Sequence, residues 1–144
     1  MTRPYKTWLV ASGLALCLCA TPAFAAEYGK WDLDGDGFIT SKEYSDRFDE
    51  MNVFGGLDTN KDEALEKSEM QSVLGEKADS FGQRHGEDFF ERADKNNNNK
   101  LTREEFNNAA FMSYDMDKSA SLDQAEFGPV GQDAREGGIY DLES

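Results

Sequence analysis

One twelve-residue stretch constrains this chain more than any other: Asp32-Leu33-Asp34-Gly35-Asp36-Gly37-Phe38-Ile39-Thr40-Ser41-Lys42-Glu43. Carboxylates stand at positions 1, 3, 5 and 12, and Gly37 stands at position 6, where a sharp turn needs a left-handed backbone. Three later stretches repeat it in register. Asp58 to Glu69 carries Asp58, Asn60, Asp62, Glu66 and Glu69 at positions 1, 3, 5, 9 and 12. Asp94 to Glu105 carries Asp94, Asn96, Asn98, Thr102 and Glu105, and Asp115 to Glu126 carries Asp115, Asp117, Ser119, Asp123 and Glu126. The flanks repeat too. An aromatic stands four residues before each stretch (Tyr28, Phe54, Phe90, Phe111), an aliphatic fills position 8 (Ile39, Leu65, Leu101, Leu122), and an apolar residue follows each closing Glu (Tyr44, Met70, Phe106, Phe127). A surface turn has no reason to keep these places apolar, whereas a loop clamped between packed helices does.

The side chains of Asp32, Asp34, Asp36, Thr40 and Glu43, with the Phe38 carbonyl, form an all-oxygen donor set. Calcium is hard and large and takes about six to eight oxygens in such a shell. Acidic or amide oxygens at 1, 3 and 5, Gly at 6 and Glu at 12 make the calcium-loop template. On these residues the chain resembles the EF-hand family, over nearly all of 27–128. The resemblance implies an all-α fold with four calcium loops, in which the carbonyls of Ala64, Lys100 and Ser121 complete the second, third and fourth. The closing glutamates have another role open to them. Thr40 with Glu43, Thr102 with Glu105 and, approximately, Asp123 with Glu126 have capping-box spacing, and the two roles can coexist.

The loops are unequal. Position 6 is Glu63 in the second and Ala120 in the fourth, where a left-handed backbone costs roughly 1–2 kcal/mol. Asn99 tolerates that conformation better, but the third loop offers only Asp94 and Glu105 as carboxylates, and its Asn96–Asn99 run also reads as low-complexity linker. The expected ranking is first loop strongest, second and fourth intermediate, third weakest.

Loop starts lie 26, 36 and 21 residues apart. Residues 70–93 have room for two helices, with breaks near Gly75 and around Gly82 to Gly86. Residues 44–57 and 106–114 have room for one shared helix each, leaving one loop and entering the next. Such a helix, about 9–14 residues or roughly 14–20 Å long, holds consecutive loops at opposite ends. The second and third loops are therefore expected to pair, and the first with the fourth, through short β bridges. Gly128-Pro129 is expected to stop the last helix, leaving 129–144 as a flexible tail. His85, beside Gly86, reads as a solvated side chain.

Arg3 and Lys6, an apolar run from Trp8 to Ala20, and Ala23-Phe24-Ala25 have the pattern of a secretory signal peptide over 1–25. The apolar run is short for a membrane span, which needs about 20 residues. Cys17 and Cys19, the only cysteines, lie within it, so the part from residue 26 would have neither disulfide nor thiol chemistry. The whole chain carries a formal charge of −14, and loss of Arg3 and Lys6 would make it −16. Such acidity repels nucleic acid and anionic lipid and attracts cations.

The expectation is an exported, periplasmic or secreted, monomeric and non-catalytic calcium binder, with its EF-hand domain over 26–128. The carboxylates are accounted for by loops and helix faces, and His85 is isolated. A calcium buffer or calcium-stabilised module competes with a sensor that opens a Met/Phe groove, through Met51, Met70, Met112 and Met116, onto a protein partner. A dockerin-like interaction module ranks lower, because dockerin loops usually close with Asp and lack the aromatic four residues before the loop.

Overall fold

Each loop that ends in a capping box launches a helix, and these helices build the molecule. The computed structural model describes residues 22–142, so most of the expected leader, residues 1–21, and residues 143–144 lie outside the described residues. The order is α1 (Pro22–Tyr28), β1 (Ile39–Thr40), α2 (Ser41–Glu50), α3 (Val53–Leu57), α4 (Lys67–Leu74), a 3₁₀ turn (Gly75–Lys77), α5 (Ala78–His85), α6 (Phe89–Ala93), α7 (Arg103–Tyr114), β2 (Ser121–Leu122) and α8 (Gln124–Asp133). Thr40, Thr102 and Asp123 cap α2, α7 and α8, and each takes back a bond through the glutamate three residues on. Two otherwise unpaired amides at each helix start are thus satisfied.

The predicted pairing of loops is present. Ile39 lies opposite Leu122 and Thr40 opposite Ser121 in an antiparallel pair. At the other end Leu65 and Leu101 exchange two backbone bonds of 2.8 Å each. The four position-8 residues are fully buried, and the aromatics before the loops and the residues after the closing glutamates are buried with them. Trp31, only 1% exposed, meets Tyr44, Phe48 and Phe127 at ring-centre distances of 5.6–6.0 Å, so the start of the first loop is anchored directly in the core. α2 packs along α7, α3 along α4, α6 along α7 and α1 along α8.

The segments between loops depart from expectation in one place. Residues 106–114 continue α7 as a single shared helix, whereas 44–57 do not form one helix. Asn52 adopts φ 53°, ψ 35° and separates α2 from α3. Asparagine tolerates this conformation better than most residues, and the bend accompanies burial of Val53, Phe54 and Leu57. In 70–93 the breaks fall at Gly75 and Gly86, while Gly82 lies inside α5.

The C-terminal expectation is corrected outright. Pro129 does not stop the helix: it sits inside α8, which runs to Asp133. A mid-helix proline costs about 3 kcal/mol, and long-range packing on either side of it offsets that cost. Phe127 and Val130 are fully buried. Asp133 accepts from Arg84 Nε at 2.6 Å and from the Tyr114 hydroxyl at 2.7 Å. Residues 129–142 are not a loose tail either. Ile139 and Tyr140 are buried, and the Tyr140 ring meets Phe48 edge-on at 4.7 Å.

His85 is likewise not solvated. It is 2% exposed, hydrogen-bonded through Nε2 to the Tyr140 hydroxyl, and packed against Phe81 and Tyr114. Burial first, then the charges of Arg84 and Arg92, pull its pKa from 6.5 down to about 3. It is therefore a neutral core residue joining α5 to the chain's C-terminal segment.

Candidate metal centre

In the first loop, the backbone folds around its own carboxylates. Asp32 accepts the Gly35 amide on Oδ1 at 2.8 Å and the Gly37 amide on Oδ2 at 3.0 Å. Asp34 Oδ1 accepts the Asp36 amide and Asp36 Oδ1 the Phe38 amide, at 3.1 and 2.9 Å. Successive turns of this kind draw the three aspartates inward, and their oxygens come within 4.8 Å of one another. Glu43 reaches back across the loop. Its Oε1 takes the Leu33 and Asp34 amides, and its Oε2 takes the amide and hydroxyl of Thr40. Burial alone would raise the Glu43 pKa, but the bonds from Thr40, Leu33 and Asp34 outweigh it and hold the group below its ordinary value.

The other three loops reproduce this scaffold. The position-6 amide donates to the position-1 carboxylate in each: Glu63 to Asp58 at 3.0 Å, Asn99 to Asp94 at 2.8 Å and Ala120 to Asp115 at 3.0 Å. Glu69 takes the Asn60 and Glu66 amides, Glu105 those of Lys95 and Thr102, and Glu126 those of Met116, Asp117 and Asp123. Each closing glutamate therefore holds its helix start and its loop together, so its capping role is present in all four loops. Asn96 and Asn98 act as turn acceptors for the Asn98 and Lys100 amides, so the asparagine run is structured in the loop register. Ser119 donates its hydroxyl to the Ser121 carbonyl at 2.9 Å.

Position 6 is left-handed as expected, with φ 63° at Glu63, 63° at Asn99 and 66° at Ala120, against 90° at Gly37. Position 4 is left-handed as well, at Gly35, Lys61, Asn97 and Lys118. The sequence reading missed this second site, and only Gly35 and Asn97 carried a residue-type signal for it.

Carboxylate convergence divides the loops. Among the described residues, groups of three carboxylates within 4.8 Å occur in the first loop (Asp32, Asp34, Asp36) and the fourth (Asp115, Asp117, Glu126). In the second loop Lys100 intervenes. This residue of the third loop, singled out by sequence only for its carbonyl, places Nζ 2.9 Å from Asp62 Oδ2 and 3.1 Å from Glu66 Oε1. Hydrogen bonding to Lys100 lowers the Asp62 pKa, and bonding to Asp62 and Glu66 raises that of Lys100. The donors in all four loops are oxygens, without sulfur or imidazole, and that set suits a hard cation such as calcium rather than a softer transition metal.

Comparison with known proteins accords with this geometry. The family model for an EF-hand domain pair matches residues 46–110, which span the second and third loops. The model for an EF hand matches residues 30–48, which span the first. No curated protein matches the chain. The two matches support an EF-hand, calcium-binding family, and the fourth loop lies beyond both.

Proposed function

We propose that the chain is an exported, non-catalytic calcium-binding protein that acts as a buffer or calcium-stabilised module. The observation carrying this reading is the repeated scaffold: in all four loops the position-6 amide binds the position-1 carboxylate, and the closing glutamate returns to the loop amides. When bound, calcium would neutralise carboxylates that otherwise repel one another. Asp32, Asp34, Asp36 and Glu43 would hold it in the first loop, with the Phe38 carbonyl and Thr40. Asp115, Asp117 and Glu126 would do so in the fourth, with Ser119, Asp123 and the Ser121 carbonyl.

Buffering or structural use fits better than target capture. Met70 is in the core and Met51 packs partly against it, while Met112 and Met116 stand 57% and 73% exposed, so the methionines divide between interior and solvent. The C-terminal segment further ties α5, α7 and α8 together through Tyr140, His85 and Asp133. Export rests on the leader pattern of residues 1–25. The expected cleavage bond, after Ala25, falls inside α1, whose Phe24 ring lies 5.7 Å from Phe127.

The test is intrinsic fluorescence. Trp31 is the one tryptophan among the described residues, and it adjoins Asp32. Calcium titration should change its emission saturably, and Glu43→Gln should abolish or strongly weaken that change. An unresponsive Trp31 in the unmodified protein would refute calcium binding at the first loop.

A further inference from the structure

The two ends of the molecule balance their loop carboxylates differently, and the strand register explains how. Leu65 pairs antiparallel with Leu101, which sets Glu66 opposite Lys100 across the bridge. Residues directly opposite in such a pair bring their Cβ atoms to about 4.5–5.5 Å, within easy reach of a lysine. The Lys100 side chain accordingly leaves its own loop and crosses to the second, where it contacts Asp62 at position 5 and Glu66 at position 9. At the other end the equivalent pair is Thr40 opposite Ser121, two neutral residues. There the carboxylate trios of the first and fourth loops converge, and Lys42 turns outward to Asp46.

We propose that Lys100 is a resident counter-cation of the second loop, holding the second–third loop end closed and keeping calcium affinity there below that of the first and fourth loops. The inference rests on the calcium-binding reading and deepens it. An ammonium fixed on two ligand-bearing residues draws the Asp62 and Glu66 carboxylates together, as a bound ion would. The same charge opposes arrival of a divalent cation, because like charges at short range repel even through a solvent-rich dielectric. The expected order of sites therefore changes: the first and fourth loops lead, and the second falls to the level of the third. Both ends can still fold alike, since the closing glutamates and the Leu65–Leu101 bridge are in place.

The test pairs a removal with a transplant. In Lys100→Met, which keeps the stem but not the charge, calcium titration followed at the Leu65 and Leu101 amides by NMR should show tighter binding, by up to about tenfold at low salt. The gain should shrink as salt is raised, because the groups are 39–43% exposed and screening acts on them. In Ser121→Lys, the same cation placed opposite Thr40 should weaken the Trp31 titration of the first loop by a similar factor. Unchanged or weaker binding at Leu65 in Lys100→Met, with Trp31 still responding to calcium in the unmodified protein, overturns the counter-cation while leaving the calcium reading intact. An unaltered Trp31 titration in Ser121→Lys overturns it independently. Loss of the Trp31 response in the unmodified protein would instead strike the underlying function.

Discussion

Replacing Tyr140 measures how firmly the C-terminal segment belongs to the fold. Its ring is 5% exposed and packs edge-on against Phe48 at 4.7 Å, and its hydroxyl bonds His85 Nε2. Truncating a buried aromatic to alanine removes apolar contacts and leaves a cavity, at a cost of about 3–5 kcal/mol. Tyr140→Phe keeps the ring but leaves the His85 nitrogen buried without its partner, which costs about 1–3 kcal/mol. For a chain of this size each kcal/mol shifts the melting temperature by roughly 4 °C. Tyr140→Ala should thus lower Tm by about 12–20 °C and Tyr140→Phe by about 4–12 °C. The assay is thermal unfolding by far-UV circular dichroism in millimolar calcium, at equal protein concentration. Tm values within about 2 °C of the unmodified protein for Tyr140→Ala would mean that residues 134–142 contribute nothing to the core, and would refute the packing of Tyr140 on Phe48 and His85.

The same cluster sets a pH dependence. His85 titrates near 3 in the folded chain but near 6.5 when unfolded, so below about pH 6.5 the unfolded state binds the extra proton. Its contribution is fully present above pH 6.5 and is lost progressively as pH falls toward 3. Urea unfolding in chelator should show stability falling by up to about 1.4 kcal/mol per pH unit between pH 6 and 5. His85→Gln, which keeps an acceptor for Tyr140, should flatten that slope, and an equally steep slope in the variant would exclude His85 as its source. Pairing between loops predicts a further asymmetry. Glu126→Gln, across the Ile39–Leu122 pair from the first loop, should weaken the Trp31 calcium titration more than Glu69→Gln does, with coupling of about 1–3 kcal/mol. The reverse ranking would place the coupling along α2 and α3 instead.

The loops were legible in the sequence because ligand and turn positions are local, and their pairing was legible because helix rise fixes what a short shared segment can span. The aliphatic residue at position 8 of each loop (Ile39, Leu65, Leu101, Leu122) was read as a packing position, and it is the residue through which both bridges form. What stayed hidden depends on partners far along the chain. Gly128-Pro129 is a helix stop on local propensity, yet Asp133 finds Arg84, 49 residues away, and Tyr114, 19 away. His85 looks like a linker residue until Tyr140, 55 residues on, covers it. Asn52 in αL could have been suspected from residue type, but what accompanies it is burial of Val53, Phe54 and Leu57 in tertiary packing. Lys100 was read only as a backbone carbonyl, because its side chain meets Asp62 and Glu66 only once Leu65 pairs with Leu101 across the two loops.

Calorimetric titration of the purified protein, with and without excess magnesium, decides whether these loops are calcium sites. Calcium prefers flexible shells of about six to eight oxygens, whereas magnesium demands a tighter octahedral shell and dehydrates reluctantly. Saturable calcium binding that persists in magnesium is expected, with a tighter class of sites, the first and fourth loops, filling before a weaker class. Absence of saturable binding, or binding that magnesium removes as readily as chelator does, would contradict that assignment.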